Sequence, residues 1–268
     1  MVIKNILYKS SLYIFFSLLV FCAGCYDARA ETDNKSLHFV GLYQFDWGGI
    51  LLGKLVLGID EDQHSYQMHL QVASAGIVNL FTRHSDDTKA DGRREGDKYF
   101  PFHYESYYKT KNKPRHIKLA FNKSGVVTEE INEPPEDRND RPEVPHKFKD
   151  GSYDPLTGLM VLRSGVEDLR AFDAKRMYQV RAIKNGVDTL WAGGKWYPAA
   201  SYILKRFPLA GLTQKELGEY KKGEPPLTFY FSNDARHIPL GIAMPIFLGS
   251  VKGVLVKECK KWEECEIK

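Results

Sequence analysis

Short runs in which apolar and polar residues alternate, each closed by glycine or another turn residue, recur along this chain. Leu37 to Trp47 sets the pattern. Phe39, Gly41, Tyr43, Phe45 and Trp47 share one face, with Gln44 and Asp46 on the other. Successive side chains of a strand point to opposite faces, so the run reads as a half-buried strand. Gly48-Gly49 suits a tight hairpin, and Ile50 to Ile59 returns. Gly53 interrupts that second strand, which predicts a bulge or the close approach of another element, the docked helix described next being a candidate. Ser65 to Ala73 is a third strand, whereas Ile77 to Thr82 reads equally as a strand or a short helical turn. Asp91-Gly92 is a turn signal. Phe100, Phe102 and Tyr104 then share a strand face, as do Ile117, Leu119 and Phe121, and Asn122 to Gly125 turns the chain into Val126 to Ile131. Asn185-Gly186 predicts a hairpin between Ala171–Lys184 and Val187–Tyr197. Strands follow at Ala199–Arg206, Leu227–Ser232, Ile238–Leu248 and Val251–Glu258, with Pro239 and Pro245 at edge or bulged positions.

One stretch departs from this rhythm. In Tyr153 to Gly165, Asp154 is a good N-cap, Pro155 suits a first helical turn, and Gly165 can take the left-handed stop conformation. Leu156, Leu159 and Met160 form one apolar stripe, and a helix this short needs something to lie against. The predicted fold is therefore all-β with minor α: a large curled antiparallel sheet or unclosed barrel, with the helix at about 154–164 on its concave face. A second small helix is expected over Leu212–Gly223, where Thr213 and Glu216 form a capping box and Leu212 and Leu217 a staple. The proline-rich segment 132–150 is expected to be an exposed loop. One β-rich domain spans 31–268.

Residues 1–30 read as an export signal. Lys4 and Lys9 precede an apolar Leu12 to Ala23, and Ala28-Arg29-Ala30 is a small-x-small cleavage site that would leave Glu31 first. The competing reading is a lipoprotein box at Cys22-Ala23-Gly24-Cys25 with Cys25 lipidated; soluble export to the periplasm is preferred. Cleavage removes Lys4, Lys9, Arg29 and Asp27, taking the formal charge from +4 to +2, which is no nucleic-acid signature. In an oxidising compartment Cys259 and Cys265 are expected to close a small disulfide loop, since two thiols without a partner histidine make no zinc site.

Enzymatic motifs are absent. There is no G-x-S-x-G, H-E-x-x-H, Walker or dinucleotide pattern, and no cofactor or metal is expected. His64 and His69 would point to opposite faces of a strand. Ser232, Asp234, Arg236 and His237 form a polar cluster in which Asp234 could act as a base or Arg236 as an anion clamp; a local turn is the preferred reading. Tyr104, Tyr107 and Tyr108 precede Lys109, Lys111, Lys113 and Arg115, a run suited to anionic lipid headgroups or glycans, or simply a solvated hairpin tip. Phe45, Trp47, Leu156, Leu159 and Met160 could line a lipid cleft or make a plain core.

Asp46-Trp47-Gly48-Gly49-Ile50 with Gly53, then Asp154 to Arg163, then Ser232 to Arg236 with Pro239, and the terminal Gly249 to Leu255 strand occur in an order that resembles the bacterial exported family catalogued as domain of unknown function 3108. The likeness spans about Val40 to Glu258. It implies a curled antiparallel sheet, similar in outline to the periplasmic lipoprotein carriers whose unclosed barrels hold acyl chains, and implies no activity. The expected role is thus a non-enzymatic envelope protein binding a lipid or a lipoprotein acyl chain, in only peripheral contact with the membrane unless Cys25 is lipidated. The alternative is a structural scaffold for an envelope protein partner, using segment 132–150 and the Tyr104–Lys118 run as contacts.

Overall fold

A computed structural model describes residues 36–111 and 113–267; the predicted signal segment, with Cys22 and Cys25, lies outside them. Strands β1 (Leu37–Trp47), β2 (Ile50–Glu61) and β3 (Ser65–Ser74) lead to helix α1 (Gly76–Thr82). Next come β4 (Ser85–Glu95), β5 (Lys98–Thr110), β6 (Lys113–Phe121) and β7 (Val127–Glu133). Helices α2 (His146–Lys149) and α3 (Pro155–Arg163) connect to β8 (Asp168–Phe172), β9 (Met177–Ala192) and β10 (Lys195–Ala210). Helix α4 (Gln214–Lys221), then β11 (Leu227–Ser232), β12 (Pro239–Pro245) and β13 (Ser250–Cys259) complete the sheet, and a 3-10 turn over Trp262–Glu264 follows.

The 13 strands form one antiparallel sheet in the order β7-β6-β5-β4-β3-β2-β1-β13-β12-β11-β10-β9-β8. Two meanders run outward from a central β1–β13 pair. Their outermost strands, β7 and β8, do not pair, so the barrel is unclosed. The chain between them lies across the gap: Gly151 N donates to Gly125 O at 3.0 Å, and Tyr153 N to Arg170 O at 2.9 Å.

Helix α3 packs against β4 and β5 on one flank of the strand order and β8 on the other, which requires the sheet to curl around it. Every residue from Pro155 to Leu162 is buried. The expected single apolar stripe is too narrow a description. The helix is enclosed on all sides because the curled sheet supplies several walls. Asp154 caps it as predicted, its Oδ1 accepting from Leu156 N and Thr157 N, both at 2.9 Å. Gly165 follows with φ +99°, a positive φ suited to glycine.

Several turn readings are corrected. Asp91-Gly92 is a bulge inside β4, a strand the alternation did not reveal. Its buried positions are Thr88, Ala90 and Gly92, small residues that leave room for what lies above them. A Cβ at Gly92 would lie 2.2 Å from Phe100 O and 2.5 Å from Tyr66 Oη, so only glycine fits. Asn185-Gly186 also lies within a strand, where the β9–β10 register slips; the hairpin turns instead at Gly193-Gly194, where both residues have positive φ. Gly53 sits beside a bulge at Phe45/Asp46, and α1, not α3, packs on β2. In β5 the buried residues are Tyr99, Pro101, Tyr104 and Ser106, so Phe100 and Phe102 do not share the inward face with Tyr104. The segment 132–150 is exposed only in part: it contains α2 and buries Val144 and Lys149.

Candidate functional site

Of the five residues expected to line a lipid cleft, Phe45, Leu156, Leu159 and Met160 lie together in the main apolar core, none more than 3% exposed. Trp47 is different. It is half-buried at the β1–β2 turn, and its indole Nε1 donates to Leu248 O at 2.6 Å.

That hydrogen bond opens onto the largest group of exposed apolar side chains near a common edge. Alternate hairpin tips of an antiparallel meander fall at the same end, so the β12–β13 turn, the β1–β2 turn, α1 and the β5–β6 turn lie at one end in strand order. The first carries Phe247 and Leu248, exposed by 98% and 60%; the second carries Ile50. Helix α1 turns Val78 and Thr82 inward and leaves Ile77, Leu80 and Phe81 exposed, Leu80 by 73%. It is seated on β2 through Ala75 N donating to Leu52 O at 2.9 Å. The β5–β6 tip then brings exposed Lys109, Lys111 and Lys113 beside it, with Lys111 N donating to Thr82 O at 2.8 Å. Exposed Arg83 ends α1 in the left-handed conformation. Arg115, the fourth cation of the expected anionic contact, faces elsewhere: it pairs with Glu136 at 2.6 Å and donates to Pro134 O at 3.0 Å.

Glu136 opens a second, charged region under α4. Lys175 reaches it at 3.2 Å, Arg141 joins Glu136 and Glu216, and Arg176 joins Asp173 and Glu216. Burial pushes the Lys175 ammonium down to about 8, against the pull of Glu136 and Asp173. Glu216 is also the reciprocal partner of Thr213 in the predicted capping box. The network therefore ties segment 132–150, the β8–β9 turn and α4 together.

At the opposite end the turns satisfy their own polar groups. Asp234 Oδ1 accepts from Ser232 Oγ at 2.7 Å, Arg236 N at 3.1 Å and His237 N at 3.2 Å, while Arg236 pairs with Glu258 at 2.5 Å. Burial lowers the His237 imidazole, and nearby Arg163 adds to the effect. Beneath this turn the buried Glu61 carboxylate meets Arg163 at 2.6 Å and Arg94 at 2.9 Å and accepts from Tyr99 Oη. Arg163 also donates to His237 O and Arg236 O at 3.1 and 3.0 Å. His69 stacks on Trp262 at 3.8 Å and hydrogen-bonds Asp87, and His64 lies in a separate turn. Among the described residues no group of three or more His, Cys, Asp or Glu side chains could hold a metal ion. Cys259 and Cys265 are disulfide-bonded and pack with Val40 and Val56.

The fold thus defines a β-barrel-like class: an all-β, unclosed antiparallel sheet around a buried helix. A family model described as "Protein of unknown function (DUF3108)" matches residues 42–256, and the chain belongs to that family. Among solved structures it is similar to a beta-barrel-like protein of domain of unknown function DUF1849 from Brucella abortus. That likeness has 13% identity and a TM-score of 0.49, covering 84% of this chain and 97% of the other. No curated protein matches. No catalytic family is indicated by these comparisons.

Proposed function

We propose that the protein is a non-enzymatic factor of the bacterial envelope, exported to the periplasm, that engages a lipid or a lipoprotein acyl chain. Its contact is the apolar end formed by Ile50, Ile77, Leu80, Phe81, Phe247 and Leu248. The observation that carries this reading is the outward aim of α1. A seven-residue helix that buries only Val78 and Thr82 has no folding need for three exposed apolar neighbours. Placing them against acyl chains removes their area from water, worth about 0.8 kcal/mol per buried methylene. The enclosed α3 core is reached by such a ligand only if the sheet opens, so the contact is assigned to the exposed end.

Native mass spectrometry of protein purified from its own envelope fraction, followed by denatured mass and solvent extraction, tests the reading. The expected result is a lipid that is lost on denaturation and depleted in a Leu80→Asp, Phe247→Asp variant. A clean mass for the wild type would favour the scaffold alternative. The same denatured mass distinguishes a chain beginning at Glu31 from one acylated at Cys25.

A further inference from the structure

We propose that the α1 end docks on an anionic bilayer surface, with the apolar tips entering the interface and the β5–β6 hairpin lying over the headgroups. This rests on the preceding reading and names its partner. Charge and shape at this end both match such a surface. Three neighbouring turns project apolar side chains from one end of the sheet: Phe247 and Leu248, Ile50, and Ile77, Leu80 and Phe81. The next turn in strand order brings Lys109, Lys111 and Lys113 beside α1, and Arg83 stands where α1 ends. No acidic residue occurs in these projecting stretches, 47–50, 76–83, 109–113 or 245–250.

A protein groove offers matching side chains, whereas a bilayer offers acyl chains below and anionic headgroups around. Apolar residues on projecting tips, flanked on the α1 side by cations, suit the second. Phe and Leu side chains insert to the headgroup–acyl boundary, while lysine stems reach along it and keep their ammonium groups among the phosphates. Each cation near such a surface strengthens binding by roughly fivefold, an effect that fades within a Debye length and weakens with salt.

Vesicle flotation tests this, using phosphatidylglycerol–phosphatidylethanolamine vesicles against phosphatidylcholine vesicles. The expected result is capture by the anionic vesicles alone, weakened as salt is raised. Lys109→Gln and Lys113→Gln should each reduce it by roughly fivefold, and Leu80→Asp with Phe247→Asp should abolish it. Circular dichroism of each variant checks that it is folded. Equal capture by both vesicle types, or no effect of the lysine variants, would overturn the anionic surface while leaving apolar engagement intact. No capture by either, with a lipid still co-purifying from the envelope, would overturn docking but not the ligand reading. A concentration-dependent dimer dispersed by Leu80→Asp would assign the arc to a second copy and overturn the proposal.

Discussion

The α1 portion of one end of the sheet and the whole of the opposite end are built on opposite principles. The α4 portion, with its Asp173–Arg176 and Arg176–Glu216 pairs, resembles the latter. At that opposite end the turns are polar and closed upon themselves. Asp62 Oδ1 accepts from His64 N and Ser65 N, Asn122 Oδ1 from Ser124 N and Val126 N, and Asp234 Oδ1 from two backbone amides and Ser232 Oγ. Beneath them Glu61, Arg94 and Arg163 lock β2, β4 and the end of α3 together. Even its exposed tryptophans, Trp191 and Trp196, meet as a cross-strand pair with centroids 5.3 Å apart. At the other end Phe247, Leu248, Leu80 and Ile50 meet solvent. The difference separates what holds the fold from what is available to a partner.

The largest expected effect is at the polar end. Arg163→Met leaves Glu61 with one cation and two backbone carbonyls without their donor, and should cost about 3–5 kcal/mol in urea unfolding. A loss below 1 kcal/mol would mean that this end does not anchor the helix. Asp154→Ala, at the start of the same helix, orphans two buried amides and should cost about 2–4 kcal/mol.

The pH dependence sharpens the role of Asp154. Burial raises its carboxyl from the ordinary value to about 6, against the hydrogen bonds from Thr157 and Leu156. The folded state therefore binds the proton more tightly than the unfolded chain does. The stabilisation is complete below about pH 4 and is lost as pH rises through about 6. Asp154→Asn keeps a capping side chain and should reduce the slope of the stability profile across that window, the remainder belonging to Asp86, whose carboxyl burial also raises to about 6; an unchanged slope would place the titration elsewhere. The smallest stability effect belongs to the apolar end, where Leu80→Asp should shift unfolding by no more than about 0.5 kcal/mol while removing lipid contact.

Much of this architecture is legible in the residues because burial and alternation coincide. Leu37–Trp47 and Leu227–Ser232 are strands over the spans read from sequence, and Ile117, Leu119 and Phe121 are all buried. Helices α3 and α4 are announced by their caps. Strand β4 is hidden because its buried positions, Thr88, Ala90 and Gly92, are small and the rest, Ser85 apart, are charged: α3 lies over it, so the bulk comes from the helix and not from the strand. The hairpin at Gly193-Gly194 is masked by Asn185-Gly186, whose turn chemistry a bulge can also use. The apolar end is the least legible part. Ile77, Val78, Leu80 and Phe81 are nearly continuous, and only the seating of α1 on β2 decides which of them face out. Likewise, Lys109, Lys113 and Arg115 look alike in sequence, and their separation depends on where segment 132–150 brings Glu136.

Hydrogen–deuterium exchange of the protein, with and without anionic vesicles, tests the contrast between the ends most directly. Exchange should slow on vesicle binding at 47–50, 76–83, 109–113 and 245–250, with 61–65, 122–126 and 233–237 unchanged. Protection centred on those polar turns, with the α1 end unaffected, would contradict that contrast.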